Sequence, residues 1–211
     1  MANVTVEQDS VWKDGFLFLG NQLLLDFLNT RPVQNGEPIE LLPDFDALLR
    51  WFQAAGLLSS REAAHLTRRW GQSVRARHAL EAMRALREGL RKEILAWEGG
   101  DAVHHSTVGE LNRLMAEHPT RTRLKANGKE PSTELYFEAH NPEDLFAPLV
   151  HSAAMLFARA DCKRVRRCDQ CVLHFHDTSK KGTRRWCSMQ LCGNRVKVAA
   201  YAARQRSAVD Q

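Results

Sequence analysis

The sequence predicts a mainly α-helical protein in two units: a helical N-terminal domain over residues 1–160 with one β-hairpin, and a small domain over 161–211 made of a β-hairpin and a helix. Three observations predict it. Apolar residues recur at helical spacing in one segment after another, as in Phe45, Leu48, Leu49 and Phe52. A clear strand pair occurs once in the first part, flanking Asn127-Gly128-Lys129-Glu130-Pro131. Four of the five cysteines fall near the C-terminus, as Cys168-x2-Cys171, a fifteen-residue loop, and Cys187-x4-Cys192.

The stretch Phe16 to Leu28 is apolar with embedded polar residues, and Leu24, Phe27 and Leu28 share one helical face. Pro32 breaks the helical pattern. Asp26 and Asn29 are three apart and so lie side by side on a helix. A carboxylate among so many apolar neighbours needs partners. Two readings stand open: the pair ties the loop after Thr30 to the body of the domain, or, with Arg31, it lines a ligand pocket.

Pro43-Asp44 opens the next helix and Gly56 closes it. Ser59-Ser60-Arg61-Glu62 reads as a capping box for a third helix, interrupted after Trp70 by Gly71. A longer helix runs from about Val74 to Trp97, with Leu80, Met83, Leu86 or Arg87, Leu90, Ile94 and Trp97 on its buried stripe. Its other face carries Arg75, Arg77, Arg84, Arg87 and Arg91 among Glu81, Glu88 and Glu93, and is expected to be solvated. A short helix, Thr107 to Glu117, comes after His104-His105, which have no metal-ligand spacing. Strands over Thr122–Lys125 and Glu134–Glu138 make the hairpin, and Asn141-Pro142 starts the last helix, with Phe146, Leu149, Val150 and Ala153 in its stripe.

Met1 to Ser10 is polar and carries Glu7 and Asp9, so no secretory leader is expected. The Phe16–Leu28 run, interrupted by Gly20, Asn21, Gln22 and Asp26, is too short and polar to span a bilayer. The expectation is a cytoplasmic protein with no membrane partner. Thiols grouped in a reducing compartment favour metal over disulfide.

The formal net charge is +5, unevenly placed. Residues 162–206 hold twelve of the 30 Lys and Arg but only Asp169 and Asp177 of the 25 acids, so this segment carries +10 and the remainder −5. Such asymmetry points to two functional units, one of which meets a polyanion.

The cysteine spacing is that of a tetrahedral four-cysteine zinc site, one ion per chain. Four thiolates leave no open coordination position, so the zinc is expected to be structural. Val172–Asp177 and Thr183–Trp186 are the expected strands about a Thr178–Gly182 turn, with a helix from Cys187 to about Arg206. His174 and His176 are rival ligands, and Cys162, which fits no knuckle, reads as a packed thiol.

Cys168-x2-Cys171, Phe175-x-Asp177-x-Ser179, Arg185-Trp186-Cys187-Ser188-Met189 and Cys192-Gly193-Asn194-Arg195-x-Lys197 resemble the CGNR zinc finger. Leu24-Leu25-Asp26-Phe27-Leu28-Asn29-Thr30-Arg31 resembles the start of the ABATE domain, which commonly precedes that finger. The resemblance covers most of the chain. It implies a bacterial, stress-induced transcription regulator, with Cys168, Cys171, Cys187 and Cys192 as ligands.

On that reading Lys180, Lys181, Arg184 and Arg185 on the hairpin and Arg195, Lys197, Arg204 and Arg206 on the helix meet the phosphates of double-stranded DNA. Asn194 and Arg195 are chemically suited to base edges, and equally to capping and to packing over Trp186. Part of the apolar face Val196, Val198, Ala199, Ala200, Ala202, Ala203 is expected to dock on the first domain or on a second subunit, as in a homodimer. Two other readings compete: a zinc-stabilised protein-interaction module, and an enzyme with a pocket around Asp26, Asn29 and Arg31. No nucleophile–base pair or phosphate loop supports an enzyme, and an effector-sensing role for the helical domain is the alternative use of such a pocket.

Overall fold

Helix α1 (Leu23–Leu28) is buried on every side, and the other elements are arranged about it. Leu24, Leu25, Phe27 and Leu28 are all fully buried, because a helix with apolar residues all round belongs in the interior. The structure, a computed structural model, describes residues 12–34, 36–126, 128, 130–194 and 198. Its fold is mainly α, with small antiparallel hairpins.

Two short hairpins flank α1. In the first, β1 (Trp12–Lys13) pairs with β2 (Phe16–Leu17) across Asp14-Gly15. Both turn residues have positive φ, 48° and 80°, as a type I′ turn demands. In the second, β3 (Val33–Gln34) pairs with β4 (Glu37–Pro38). These add to the one strand pair expected in this part. That pair is present as β5 (Arg121–Lys125) and β6 (Ser132–Tyr136), with Thr122 opposite Leu135.

The helices obey their sequence signals. α2 (Phe45–Ala54) is capped by the Asp44 carboxylate, which accepts from the Ala47 N–H at 2.7 Å. α3 (Ser60–Trp70) begins with the expected capping box between Ser59 and Glu62. α4 (Val74–Glu98) is capped by Ser73. α5 (His105–Glu117) comes next, its N-terminus held by Glu93, which accepts from the His104 N–H and the Thr107 hydroxyl. A 3-10 turn, Pro142–Leu145, leads into α6 (Phe146–Arg159), which packs beside α1 and α5. Trp51 of α2 sits among Phe18, Phe27 and Phe52, with ring centroids 5.4 to 6.1 Å apart.

The arginine face of α4 is only partly the solvated face expected: Arg75 and Arg77 are exposed, whereas Arg84, Arg87 and Arg91 turn inward. Arg87 is 1% exposed. Its guanidinium donates to both Glu40 carboxylate oxygens, to Glu88 and, at 2.8 Å, to the Thr30 hydroxyl. Arg84 reaches the Leu42 carbonyl and Arg91 the Leu28 carbonyl. These three turn inward onto the Leu28 and Leu42 carbonyls, the Thr30 hydroxyl and the Glu40 carboxylate, polar groups that need donors once they are taken from water.

The small domain contains a hairpin, but its strands are β7 (Val165–Arg167) and β8 (His174–His176). The expected pairing of 172–177 with 183–186 does not form. The Cys168–Cys171 knuckle is itself the turn of the hairpin, closed by the Cys168 N–H bonded to the Leu173 carbonyl and the Val172 N–H to the Cys168 carbonyl. Segment 178–186 is instead organised by Asp177, fully buried, whose carboxylate accepts from the Ser179 and Arg184 N–H groups at 2.9 and 2.8 Å. Burial alone would push this carboxyl up; hydrogen bonds from Ser179 and Arg184 outweigh it and hold the carboxyl below its ordinary value.

Candidate metal centre and basic surface

Cys168 and Cys171 come from the knuckle between β7 and β8, and Cys187 and Cys192 from a turn of π-helix, Met189–Gly193, and the residues before it. Ser188 caps that turn, accepting from the Gln190 and Leu191 N–H groups, and the Cys192 N–H bonds back to the Ser188 carbonyl. The spacing x4 between the second pair of cysteines thus spans one wide helical turn, which returns Cys192 beside Cys187.

The four sulfurs lie within 4.8 Å of one another. Cys171 Sγ is 3.4 Å from Cys187 Sγ, and Cys187 Sγ is 3.7 Å from Cys192 Sγ. A tetrahedral ion with metal–sulfur distances of about 2.3 Å sets its sulfurs roughly 3.8 Å apart. A disulfide needs about 2.05 Å. The geometry therefore fits a zinc ion and not a pair of disulfides. Without a cation the thiols cannot all ionise together: hydrogen bonds from Cys171 and Cys187 pull Cys168 well below its ordinary value, while the hydrogen bond to the Cys168 sulfur, with burial, pushes Cys171 up to about 12. A divalent ion removes that conflict. The four cysteines fit one structural zinc, whose chemistry here is to cross-link the knuckle to the π turn.

Neither histidine rival is in the sulfur cluster. His174 is 1% exposed, its main chain bonded to the first domain. Burial, then the charges of Arg91 and Arg167, pushes its imidazole down to about 4, so it is neutral. Cys162 is half-buried in a 3-10 turn, away from the four.

The sulfurs are also the centre of a small apolar cluster. Leu173 and Phe175 belong to it, with Trp186 and Leu191 at its edge. Leu17 and Leu19 from the N-terminal segment complete it. These two leucines carry part of the finger's core, and the sequence pattern assigns them no such role.

Asp26 and Asn29 lie at this junction with their side chains bonded to main chain, while Arg31 turns toward α4. The Asn29 amide donates to the His174 carbonyl and its oxygen accepts from the His174 N–H, both at 2.8 Å. Asn29 thus pairs with β8 as a neighbouring strand would. Asp26 Oδ1 accepts from the Gly20 N–H at 2.7 Å, and Gly20 presents its carbonyl to the His176 N–H at 2.8 Å. A Cβ at position 20 would fall 2.7 Å from Leu25 Cβ and 2.8 Å from the Asp26 nitrogen, so only glycine lets this loop pass so close. The Asn21 amide donates to the His176 carbonyl at 2.9 Å. Arg31 pairs with Glu88 at 3.2 Å.

The basic residues divide. Arg164 donates to the Asp177 and Ser179 carbonyls, and Arg166 to Gly182. Arg184 donates to the Cys187 carbonyl and lies over the Phe175 ring at 5.1 Å. These three brace the finger. Lys180 and Lys181 are exposed and make no hydrogen bond or ion pair among the described residues. Arg185 is exposed, lies 5.8 Å over the Trp186 ring and pairs with Asp169 at 2.9 Å. Asn194 is exposed in the helical residue after the π turn. Arg195, Lys197, Arg204 and Arg206 lie outside the described residues.

No helix among the described residues is long and apolar enough to cross a membrane. No curated protein matches the chain. Two family models do: the CGNR zinc finger over residues 164–205, and ABATE, described as "Putative stress-induced transcription regulator", over residues 21–160. The second spans well over half of the 211 residues, including α1 with its clamp on β8. The chain belongs to the ABATE family and carries a CGNR zinc finger at its C-terminal end.

Proposed function

We propose that this protein is a cytoplasmic, stress-responsive transcription regulator. Its zinc finger binds double-stranded DNA, and its helical domain responds to a small-molecule effector. The carrying observation is the +10 charge of residues 162–206 on a zinc-tied scaffold whose Lys180 and Lys181 are exposed and unspent. Lys180, Lys181 and Arg185 contact phosphates. Arg195, Lys197, Arg204 and Arg206 extend that contact, and Asn194 faces base edges. Arg184 belongs to the bracing set and not to the contacts. The zinc is closed by four thiolates and so offers no position for a substrate, which favours a binding protein over an enzyme. A homodimer would present two such fingers to a two-fold site.

The test is duplex binding by the zinc-loaded full chain at increasing salt. Affinity should fall steeply between about 50 and 200 mM salt. Lys180→Ala, Lys181→Ala and Arg185→Ala combined should flatten the log–log salt slope by roughly three units, since each phosphate contact contributes about 0.9. Selection from a random duplex pool should enrich one site. No mobility shift at low salt would overturn DNA binding and leave a protein-interaction module.

A further inference from the structure

We propose that the groove between α3, the β5–β6 hairpin and α6 binds a small organic carboxylate with an apolar body. The proposal deepens the reading of the helical domain as an effector sensor and rests on it for its biological purpose, though not for its chemistry.

The groove has a volume of about 1090 Å³, ample for a ligand of drug-like size. Its apolar lining includes Leu23, Leu57, Leu66, Phe137, Pro148 and Met155. Its charges separate into spent and unspent groups. All three carboxylates are spent. Glu62 accepts from the Ser59 N–H and hydroxyl, Glu134 from Arg123 and Lys125, and Glu138 from Arg121 and His140. Arg123 is spent too, on Glu134 and on the face of Tyr136 at 4.8 Å.

Arg61, His65 and Arg68 are different. They line the groove, and their exposed side chains make no hydrogen bond or ion pair among the described residues. They stand at i, i+4 and i+7 of α3, hence on one helical face. The unspent charge of the groove is therefore cationic and comes from one wall. Two guanidiniums on that wall suit the planar fork of a carboxylate. The apolar residues of the lining suit a hydrocarbon or ring attached to it. A purely inorganic anion would leave that lining wet, and a neutral hydrocarbon would leave the arginines without a partner.

The position gives such a ligand leverage on the finger. Gln22 and Leu23 at the start of α1 line the groove. So does Ser152, whose hydroxyl accepts from the Leu24 N–H at 2.9 Å. The other end of α1 leads directly into Asn29, the residue that holds β8.

The test is calorimetric titration of octanoate into the zinc-loaded full chain with no DNA present, so that a failure of DNA binding leaves it unaffected. Octanoate should bind saturably. Affinity should rise roughly fourfold per methylene from hexanoate to octanoate, the increment for burying a CH₂. Octanol and inorganic phosphate should each bind at least roughly tenfold more weakly than octanoate. Arg61→Ala with Arg68→Ala should weaken octanoate at least roughly tenfold, whereas Arg69→Ala, whose side chain lies over Trp70, should not. Both substituted arginines are exposed, so an unchanged melting temperature establishes that the double variant folds. The proposal is overturned by the absence of saturable heat at millimolar octanoate, by equal affinity for octanol, or by undiminished binding in the double variant.

Discussion

Two opposed forces meet at Asp26. Burial pushes its carboxyl up to about 6, against hydrogen bonds from Gly20 and Leu19 and the charge of Lys13, which pull it down. The folded chain therefore holds this proton more tightly than the unfolded chain does, for which the ordinary value is 3.8. The contribution to stability is fully present below that ordinary value and is lost as pH rises through about 6. The shift corresponds to about 3 kcal/mol. His174 acts in the reverse sense: its depressed value makes its contribution full above the ordinary 6.5 and lost as pH falls toward about 4. A raw stability profile mixes the two, so the informative quantity is a difference. Asp26→Asn keeps an oxygen for the Gly20 N–H and removes the charge. Its melting temperature relative to wild type should rise from about pH 4 to about pH 6 and level off above that. A difference independent of pH would mean that the ionised carboxylate is not penalised by the fold.

The elements differ in what makes them stand. α2, α3 and α4 bury apolar stripes and carry side-chain caps at Asp44, Ser59 and Ser73, so local and tertiary terms agree. The finger leans less on burial. Among the described residues its core consists of Leu17, Leu19, Leu173 and Phe175 with three buried cysteines, too little apolar area to fold by burial alone. Chelation should therefore release one zinc per chain and abolish amide protection over 165–193, while α2 to α6 keep theirs in hydrogen exchange. Joint loss of protection in both regions would contradict this division. The same contrast separates what is legible in the sequence from what is not. Capped helices with a 3.6 period are legible, as is the ligand set, because four thiols at that spacing have few other uses. The hairpin partner of β8 is not. The expected partner, 183–186, and the actual one, β7, both carry arginines, and the buried Asp177 carboxylate withdraws the former by drawing the Arg184 and Ser179 N–H groups into a loop. The β1–β2 turn does have a signal, Asp14-Gly15, as does Asn35-Gly36 before β4, but strands of two residues leave no period to support it.

For the whole molecule the consequence is that the finger does not hang from α6. It is held by α1 and the loop before it, more than a hundred residues away in sequence, which is why helical periodicity could not reveal the contact. Asn29 is visible as a polar residue among apolar ones, but its partner is main chain, and main chain has no sequence signature. Three attachments converge: Asn29 on His174, the Gly20 carbonyl and Asn21 amide on His176, and Glu98 accepting from the Arg167 N–H at 2.8 Å. Of these, only the Asn29 pair is fully buried, so it should carry the largest cost on removal. Asn29→Ala leaves one buried N–H and one buried carbonyl without partners, about 1–3 kcal/mol each. The Asn29 side chain bonds to His174 and to none of the four zinc ligands, so the finger should keep one zinc per chain. The variant should then melt at lower temperature with unchanged metal content, and the segment joining α6 to the knuckle, residues 160–168, should become a site of limited proteolysis. If the finger reads DNA in the orientation that α1 imposes, the same substitution should weaken sequence preference more than salt-dependent affinity, because phosphate contacts tolerate reorientation and base contacts do not. An intact protease pattern with an unchanged melting temperature would show that the Glu98 and His176 contacts suffice, and that α1 does not fix the finger's position.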